Sequence, residues 1–350
     1  METRKLVKTG GATYIISLPK EWIRRHELSK GASIGIYEQA DGSLILRPLT
    51  FNLKQNNKVM NLKIISENEE VTLRSIIAAY ISGYDVINIL SNKIPLNFRR
   101  KIKEVITRKL TGVEVIEDSS TKITLQVLSH YASFPLRRVI DRMGALTSCM
   151  YDDISRALTE RDRDLLRDII ERDDDVDRLY FLSIRQLTAA IREPNILSSL
   201  EIKDLRECLE YRVIVRHIER AADHATIAST NLYEILDLID KDIVSKLIEM
   251  ENEACKSFRN SIYSIVNTSS KRANIALSLR GLVRDYEVDL IEKILTETSN
   301  VKVVAYLRLT IESLRRLAEY AAGIAEILLD LDIDTRNEAN IHEQIEDTFS

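Results

Sequence analysis

Cysteine is scarce in this chain. The 350 residues hold three (Cys149, Cys208 and Cys255), too far apart for a CxxC pair and odd in number, so no disulfide framework can be drawn. Isolated thiols suit a reducing compartment, and a cytoplasmic setting is expected. Long apolar runs are missing too. No stretch reaches the roughly 18 apolar residues of a membrane span, so no membrane insertion is expected. The opening METRKLVKTGG has no apolar core of a secretory leader. Catalytic motifs are equally thin. With no HExxH, no Gly-rich phosphate loop and no nucleophile beside a base, hydrolase or kinase chemistry has nothing to rest on, and the chain reads as a non-enzyme.

What is present is a globular composition, 45% hydrophobic and 30% charged, of a length that suits two or three domains at about 150 residues each. The net charge of −4 hides an asymmetry. Residues 1–30 carry seven Lys/Arg against three Glu and sum to +4, which leaves −8 for the rest. A basic end on an acidic body marks an electrostatic contact point.

Three sections follow from the patterning. Residues 1–50 alternate short β-like runs (Lys5–Leu6, Tyr14–Leu18, Ser33–Tyr37, Leu44–Leu46) with turns at Gly10-Gly11 and Asp41-Gly42, and Pro19 opens a short helix through Trp22 and Arg25. So small a β unit buries too little surface to stand alone, and pairing with a second copy would complete it, giving a homodimer. Residues 51–130 read as a small α/β unit, with strands at 61–65, 85–90, 113–117 and 122–127 and helices at about 70–82 and 97–110. It is either a spacer or a ligand or partner module. From 131 to 350 the period is helical. Helices are expected at about 135–158, 162–192, 201–239, 241–267, 272–297 and 299–331, with a break at Glu193-Pro194-Asn195 and a polar tail from about 332 that frays. This half repeats internally, since RDDDVDRLYFL at 172–182 matches RDYEVDLIEKI at 284–294, and HIERAADHATIA at 217–228 more loosely matches SLRRLAEYAAGIA at 313–325. The expected fold is multidomain and mainly α, ending in two three-helix units.

In the first section, Arg4, Lys5, Lys8, Arg24 and Arg25 can neutralise phosphates, or they can form a solvated face on a dimerisation module. The order of Lys5-Leu6-Val7-Lys8, Gly10-Gly11, Ile16-Ser17-Leu18-Pro19-Lys20, Leu28-Ser29-Lys30-Gly31 and Gly42-Ser43-Leu44-Ile45-Leu46 resembles the AbrB/SpoVT/MazE swapped-hairpin family over about 45 residues. The resemblance implies two interleaved chains and a DNA-contacting role for those five cations. Some members of that family serve only for dimerisation or antitoxin contact.

In the helical part, Asp173 with Asp177 and Glu219 with Asp223 set acids one turn apart. Like charges at that spacing destabilise a helix by roughly 0.2–0.5 kcal/mol per pair, so a compensating cation is expected. All-oxygen ligands suit magnesium, manganese or calcium, and carboxylate bundles with histidine suit iron. Arg172, Arg178, Arg216 and Arg220 stand near enough in sequence to absorb the same charges as ordinary ion pairs. His217 and His224 read as packing or surface side chains. The segments DDDVDRLYFL and IERAADHATIA resemble the two motifs of the PhoU family of phosphate-signalling proteins, over about 135–331. That resemblance implies a PhoU-like pair of three-helix bundles and a metal role for Asp173, Asp177, Glu219 and Asp223, in a divalent or multinuclear site of iron or zinc. The second bundle departs from the pattern. Asp285 and Asp289 are retained and Glu319 replaces an aspartate, but Arg315 stands where the family has glutamate, so a full second cluster is not expected and Arg315 can supply an internal positive charge.

Joined in one chain, the three sections resemble archaeal phosphate-uptake regulators. The expected function is DNA-binding control of phosphate uptake by a homodimer with a metal-binding helical sensor. The alternative is an adaptor that docks on a phosphate transporter ATPase or a kinase, its head serving only to dimerise. A carboxylate-bridged metalloenzyme is the remaining reading.

Overall fold

A computed structural model describes residues 3–11, 13–38, 42–48, 57–64, 68–128, 134–193 and 196–349, with side chains described as far as Ile333. Asp41, Pro194 and Asn195, used above as turn and break signals, lie outside the described residues. The chain divides into two compact units, residues 1–57 and 58–350.

The first unit is two separate hairpins and a short helix. Strands β1 (Val7–Thr9) and β2 (Thr13–Ile15) pair antiparallel, as do β3 (Ile34–Glu38) and β4 (Leu44–Pro48), and α1 spans Lys20–Arg25 between them. Gly10 and Gly42 take positive φ of 68° and 76°, the conformation that tight turns demand and that glycine adopts without steric cost. Strand β1 lies just after the expected Lys5–Leu6, and β2 ends at Ile15 where Leu18 is expected, so both sit closer to their turn. Pairing begins at Thr9↔Thr13 and extends only as far as a partner strand is present. The two hairpins do not join into one sheet, and none of the unit's described residues is buried. Leu6, Val7, Tyr14, Ile15, Ile16, Ile36 and Leu44 are all at least half exposed. Isolated two-stranded hairpins are marginal in water.

In the second unit, residues 58–128 build a four-stranded sheet of order β5-β6-β8-β7 from β5 (Val59–Lys63), β6 (Val86–Leu90), β7 (Val113–Asp118) and β8 (Lys122–Val127). The β5–β6 pair is parallel, which requires the crossover helix α2 (Glu69–Ile81); the other pairs are antiparallel. Asn68 caps α2 by accepting from the Glu70 N–H at 3.0 Å. Helix α3 (Leu96–Lys109) adds Phe98, Ile102 and Ile106 to a core shared with Ile76, Tyr80, Ile87, Ile89, Ile123 and Leu125.

Among the described residues the remainder holds six α-helices: α4 (Leu136–Glu160), α5 (Arg163–Arg192), α6 (Glu207–Ile235), α7 (Lys241–Asn267), α8 (Ser270–Glu297) and α9 (Val301–Phe349). Helices α4, α5 and α6 pack on one another, as do α7, α8 and α9, and the two trios meet through α4–α7 and α6–α9. Helix α6 begins later than the periodicity predicts because the Asp204 side chain accepts from the N–H groups of Arg206 and Glu207, fixing the start there. At the other end, α9 runs on to Phe349 through the polar stretch expected to fray. Extending an existing helix costs far less than nucleating one. At the α4–α7 crossing, Gly144 admits Ile262 so closely that a Cβ there would stand 2.6 Å from Ile262 Cγ2.

Arg185 on α5 ties the sheet region to the helices. Its buried guanidinium donates to the Tyr80 and Tyr84 carbonyls at 2.7 Å and to Asp85 Oδ1 at 2.8 Å. Among the described residues, no helix is long and apolar enough to cross a membrane.

Candidate metal centre and nucleic-acid interface

The cations of the first unit are held outward. Lys8 pairs with Tyr14 across the β1–β2 ladder, Arg4 and Lys5 lie just before β1, and Arg24 and Arg25 close α1, where the helix dipole favours positive charge. All five are exposed.

The acidic motif of the first bundle lies on the seam between α5 and α6. Asp173 and Asp177 come from α5, Glu219 and Asp223 from α6, close enough for their charges to repel one another. Burial, followed by the neighbouring Asp177 and Asp223 charges, pushes Asp173 up to about 7. Burial, then Asp223, does the same to Glu219, also to about 7, and burial raises Asp223 against the pull of Arg220.

The compensating cations come from the protein itself. Arg216 meets Glu219 at 3.0 Å and Arg220 meets Asp223 at 3.1 Å, both at i,i+3 as the alternative reading of the sequence anticipates. The third was not legible locally. Lys109, the last residue of α3, puts its Nζ 2.8 Å from Asp177 Oδ2 and 3.4 Å from Asp174 Oδ1. Burial alone would depress the Lys109 ammonium, but its hydrogen bond and attraction to Asp177 outweigh that and raise it.

A multinuclear metal cluster fits this arrangement poorly. Glu219 Oε2 is buried without a hydrogen-bond partner, with Arg220 no nearer than 3.9 Å, which leaves one oxygen available. Asp177, Glu219 and Asp223, however, each hold a cationic side chain, and together with Asp173 they do not bring three donor atoms within 4.8 Å of one another.

The second bundle is further from a metal centre. Asp285 and Asp289 are exposed, and Val288, the sequence match of buried Val176, is 63% exposed. The motif repeats in sequence but α8 is rotated, because Val283 and Leu290 take its buried face. Glu287 is turned inward instead. Arg315 reaches Glu287 at 3.3 Å, Glu312 at 2.7 Å, and also Glu319, so it supplies the internal positive charge.

The histidines pack in the α6–α9 seam. His217 and His224 lie against the Tyr320 ring, His224 Nδ1 is 3.2 Å from Ser313 Oγ, and burial lowers both.

A donor set that spacing did not reveal joins α4 to α7. Asp152, Glu251 and Cys255 bring one donor atom each to within 4.8 Å of one another, and can hold a metal ion. The local signal was only Glu251 and Cys255 at i,i+4; Asp152 stands 99 positions earlier, and nothing local links it to them.

Comparison with known proteins agrees with this architecture. Residues 140–231, covering most of α4 through α6, match the PhoU domain family, and residues 7–54 match the family described as antidote-toxin recognition MazE, bacterial antitoxin. The chain is 23% identical over 197 residues to the phosphate-specific transport system accessory protein PhoU homolog of Zymomonas mobilis, covering 55% of this chain and 81% of that one. Among solved structures, PhoU from Pseudomonas aeruginosa superposes with a TM-score of 0.51 at 16% identity, covering 57% of this chain and 96% of that chain. The phosphate transport system regulatory protein PhoU from Streptococcus pneumoniae gives 0.47 at 17% identity, over 56% and 93%. The chain thus joins an N-terminal segment that matches the MazE antitoxin family to a helical segment that matches the PhoU domain family.

Proposed function

We propose that this chain is a phosphate-signalling adaptor of the PhoU type. In this reading the helical region regulates a phosphate transporter or a kinase, performs no catalysis, and the head holds two copies together. The observation that carries it is the similarity of the helical region to an accessory protein of a phosphate-specific transport system. The dimer is supported by hairpins that bury none of their described side chains and expose a row of apolar ones. Two measurements test it. Full-length protein should elute in light scattering at twice the chain mass and should retain a transporter ATPase subunit on co-purification. A monodisperse single-chain mass defeats the dimer, and failure to retain any transporter or kinase component defeats the adaptor.

Exposed Arg4, Lys5, Lys8, Arg24 and Arg25 favour a second reading, DNA-binding control of phosphate uptake. Gel shifts at graded salt should then show steep salt dependence that flattens in Arg4→Ala/Lys8→Ala. Affinity indifferent to both substitutions leaves the adaptor reading alone. A divalent or multinuclear ion (iron, zinc, magnesium or manganese) at Asp173, Asp177, Glu219 and Asp223 would have to displace Lys109, Arg216 and Arg220. Elemental analysis of wild type against Glu219→Ala/Asp223→Ala decides that point, and equal metal content removes the ion.

A further inference from the structure

The most deeply buried acid among the described residues is Glu251, in the middle of α7. It is 1% exposed, yet among the described residues no lysine or arginine lies within ion-pair distance of it. Its Oε2 accepts from Ser155 Oγ at 2.6 Å, whereas Oε1 is buried with no hydrogen-bond partner. The contrast with the α5–α6 seam is direct, because most acids there meet a cationic side chain. Buried carboxylates are tolerated when they are paired or coordinate a metal, and an unsatisfied one carries a desolvation cost.

Two further donors face the same point. Cys255, one helical turn on and 1% exposed, makes a weak 4.0 Å contact to the Ser148 carbonyl and has its thiol beside the Glu251 carboxylate. Asp152 arrives from α4 and is exposed, leaving a path from solvent. Arg259 pairs with Asp152 through Oδ1, which leaves the second oxygen of that carboxylate for another partner. The three donor atoms lie within 4.8 Å of one another. Ligands around a tetrahedral zinc-sized ion stand about 3.5 Å apart, given bonds of about 2.0–2.3 Å, so small side-chain adjustments close the gap.

We propose that Asp152, Glu251 and Cys255 form a binding site for a thiolate-accepting divalent cation of the zinc class, fastening α4 of the first three-helix unit to α7 of the second. The donor set selects the class. Magnesium and calcium take oxygen ligands and reject sulfur, whereas zinc accepts thiolate and carboxylate together. Ser155 orients Glu251 from behind, as outer-shell partners of metal ligands do. The fourth position falls to water. This site lies on different helices from the α5–α6 acids and is independent of the phosphate-signalling reading.

Cobalt(II) is the probe, because a cobalt–thiolate bond absorbs in the near ultraviolet. Full-length protein, reduced and stripped with chelator, should develop that band with one equivalent of cobalt and lose it when zinc is added. Cys255→Ser should abolish the band while Cys149→Ser and Cys208→Ser keep it, and Ser155→Ala should weaken affinity by roughly 10-fold or more. Asp152→Asn, a change at an exposed position that does not threaten folding, should also weaken it. Zinc should raise the melting temperature of wild type but not of Cys255→Ser. The proposal is overturned if stoichiometric cobalt gives no thiolate band, if the band follows Cys149 or Cys208, or if Asp152→Asn binds as tightly as wild type.

Discussion

Replacing Lys109 by methionine isolates one charge, because the thioether retains most of the apolar stem and removes the ammonium. The lost interaction is the 2.8 Å contact to Asp177, with the 3.4 Å contact to Asp174 beside it. Exposed ion pairs contribute about 0–1 kcal/mol, and breaking fully buried ones costs about 3–5 kcal/mol. The Lys109 side chain is 34% exposed and that of Asp177 13%, so this pair lies between those limits. A loss of about 1–3 kcal/mol follows. At roughly 2–4 °C per kcal/mol for a body of this size, the melting temperature should fall by about 2–12 °C at pH 8. The pH dependence has a definite sign. Asp173 and Glu219 are raised to about 7 in the fold, so the stability they confer is complete in acid below their unfolded values and is lost as pH rises through 7. Chelated wild type should therefore weaken from pH 5 to pH 8, and Lys109→Met should weaken more steeply, since protons on those acids partly replace the missing ammonium at low pH. Thermal unfolding at both pH values, with a double-mutant cycle against Asp177→Asn, measures this. A variant that melts within 1 °C of wild type at pH 8, or a coupling energy near zero, would refute the assignment of Lys109 as the counter-cation of this seam. Added manganese should restore part of the lost stability if the vacated acids can accept a metal.

Three other perturbations probe the frame. Arg185→Met removes a buried cation that serves two carbonyls and Asp85, and should cost about 3–5 kcal/mol in chemical unfolding; a loss below 1 kcal/mol would mean the joint between sheet and helices rests elsewhere. Gly144→Val drives side-chain atoms into Ile262 and should cost about 1–3 kcal/mol or more, with Ile262→Ala partly rescuing it; no rescue would place the strain elsewhere. Arg315→Ala removes the cation shared by Glu287, Glu312 and Glu319 and leaves them to the more exposed Arg308 and Arg316, so it should destabilise by about 1–3 kcal/mol at pH 8 but less at pH 5; equal losses at both pH values would argue against charge as the cause.

Much of the architecture is local information. Period 3.6 from residue 135 onward and period 2 in the head follow from which side chains are apolar, and so the helices, hairpins and PhoU- and MazE-like segments were readable without a structure. The outward cations of the head needed only their charge, and the arginines at i,i+3 from Glu219 and Asp223 needed only helical geometry. Tertiary packing decided the rest. No pattern could announce that Lys109, 68 residues before Asp177, would meet it, since that contact depends on how α3 lies across α5. The rotation that exposes Asp285 and Asp289 and turns Glu287 toward Arg315 comes from which side of α8 finds a neighbour. The meeting of Asp152 with Glu251 and Cys255 likewise depends on a crossing that Gly144 permits. Hydrophobic periodicity sets which face of a helix is buried, whereas the partner on that face is chosen by close packing among elements distant in sequence.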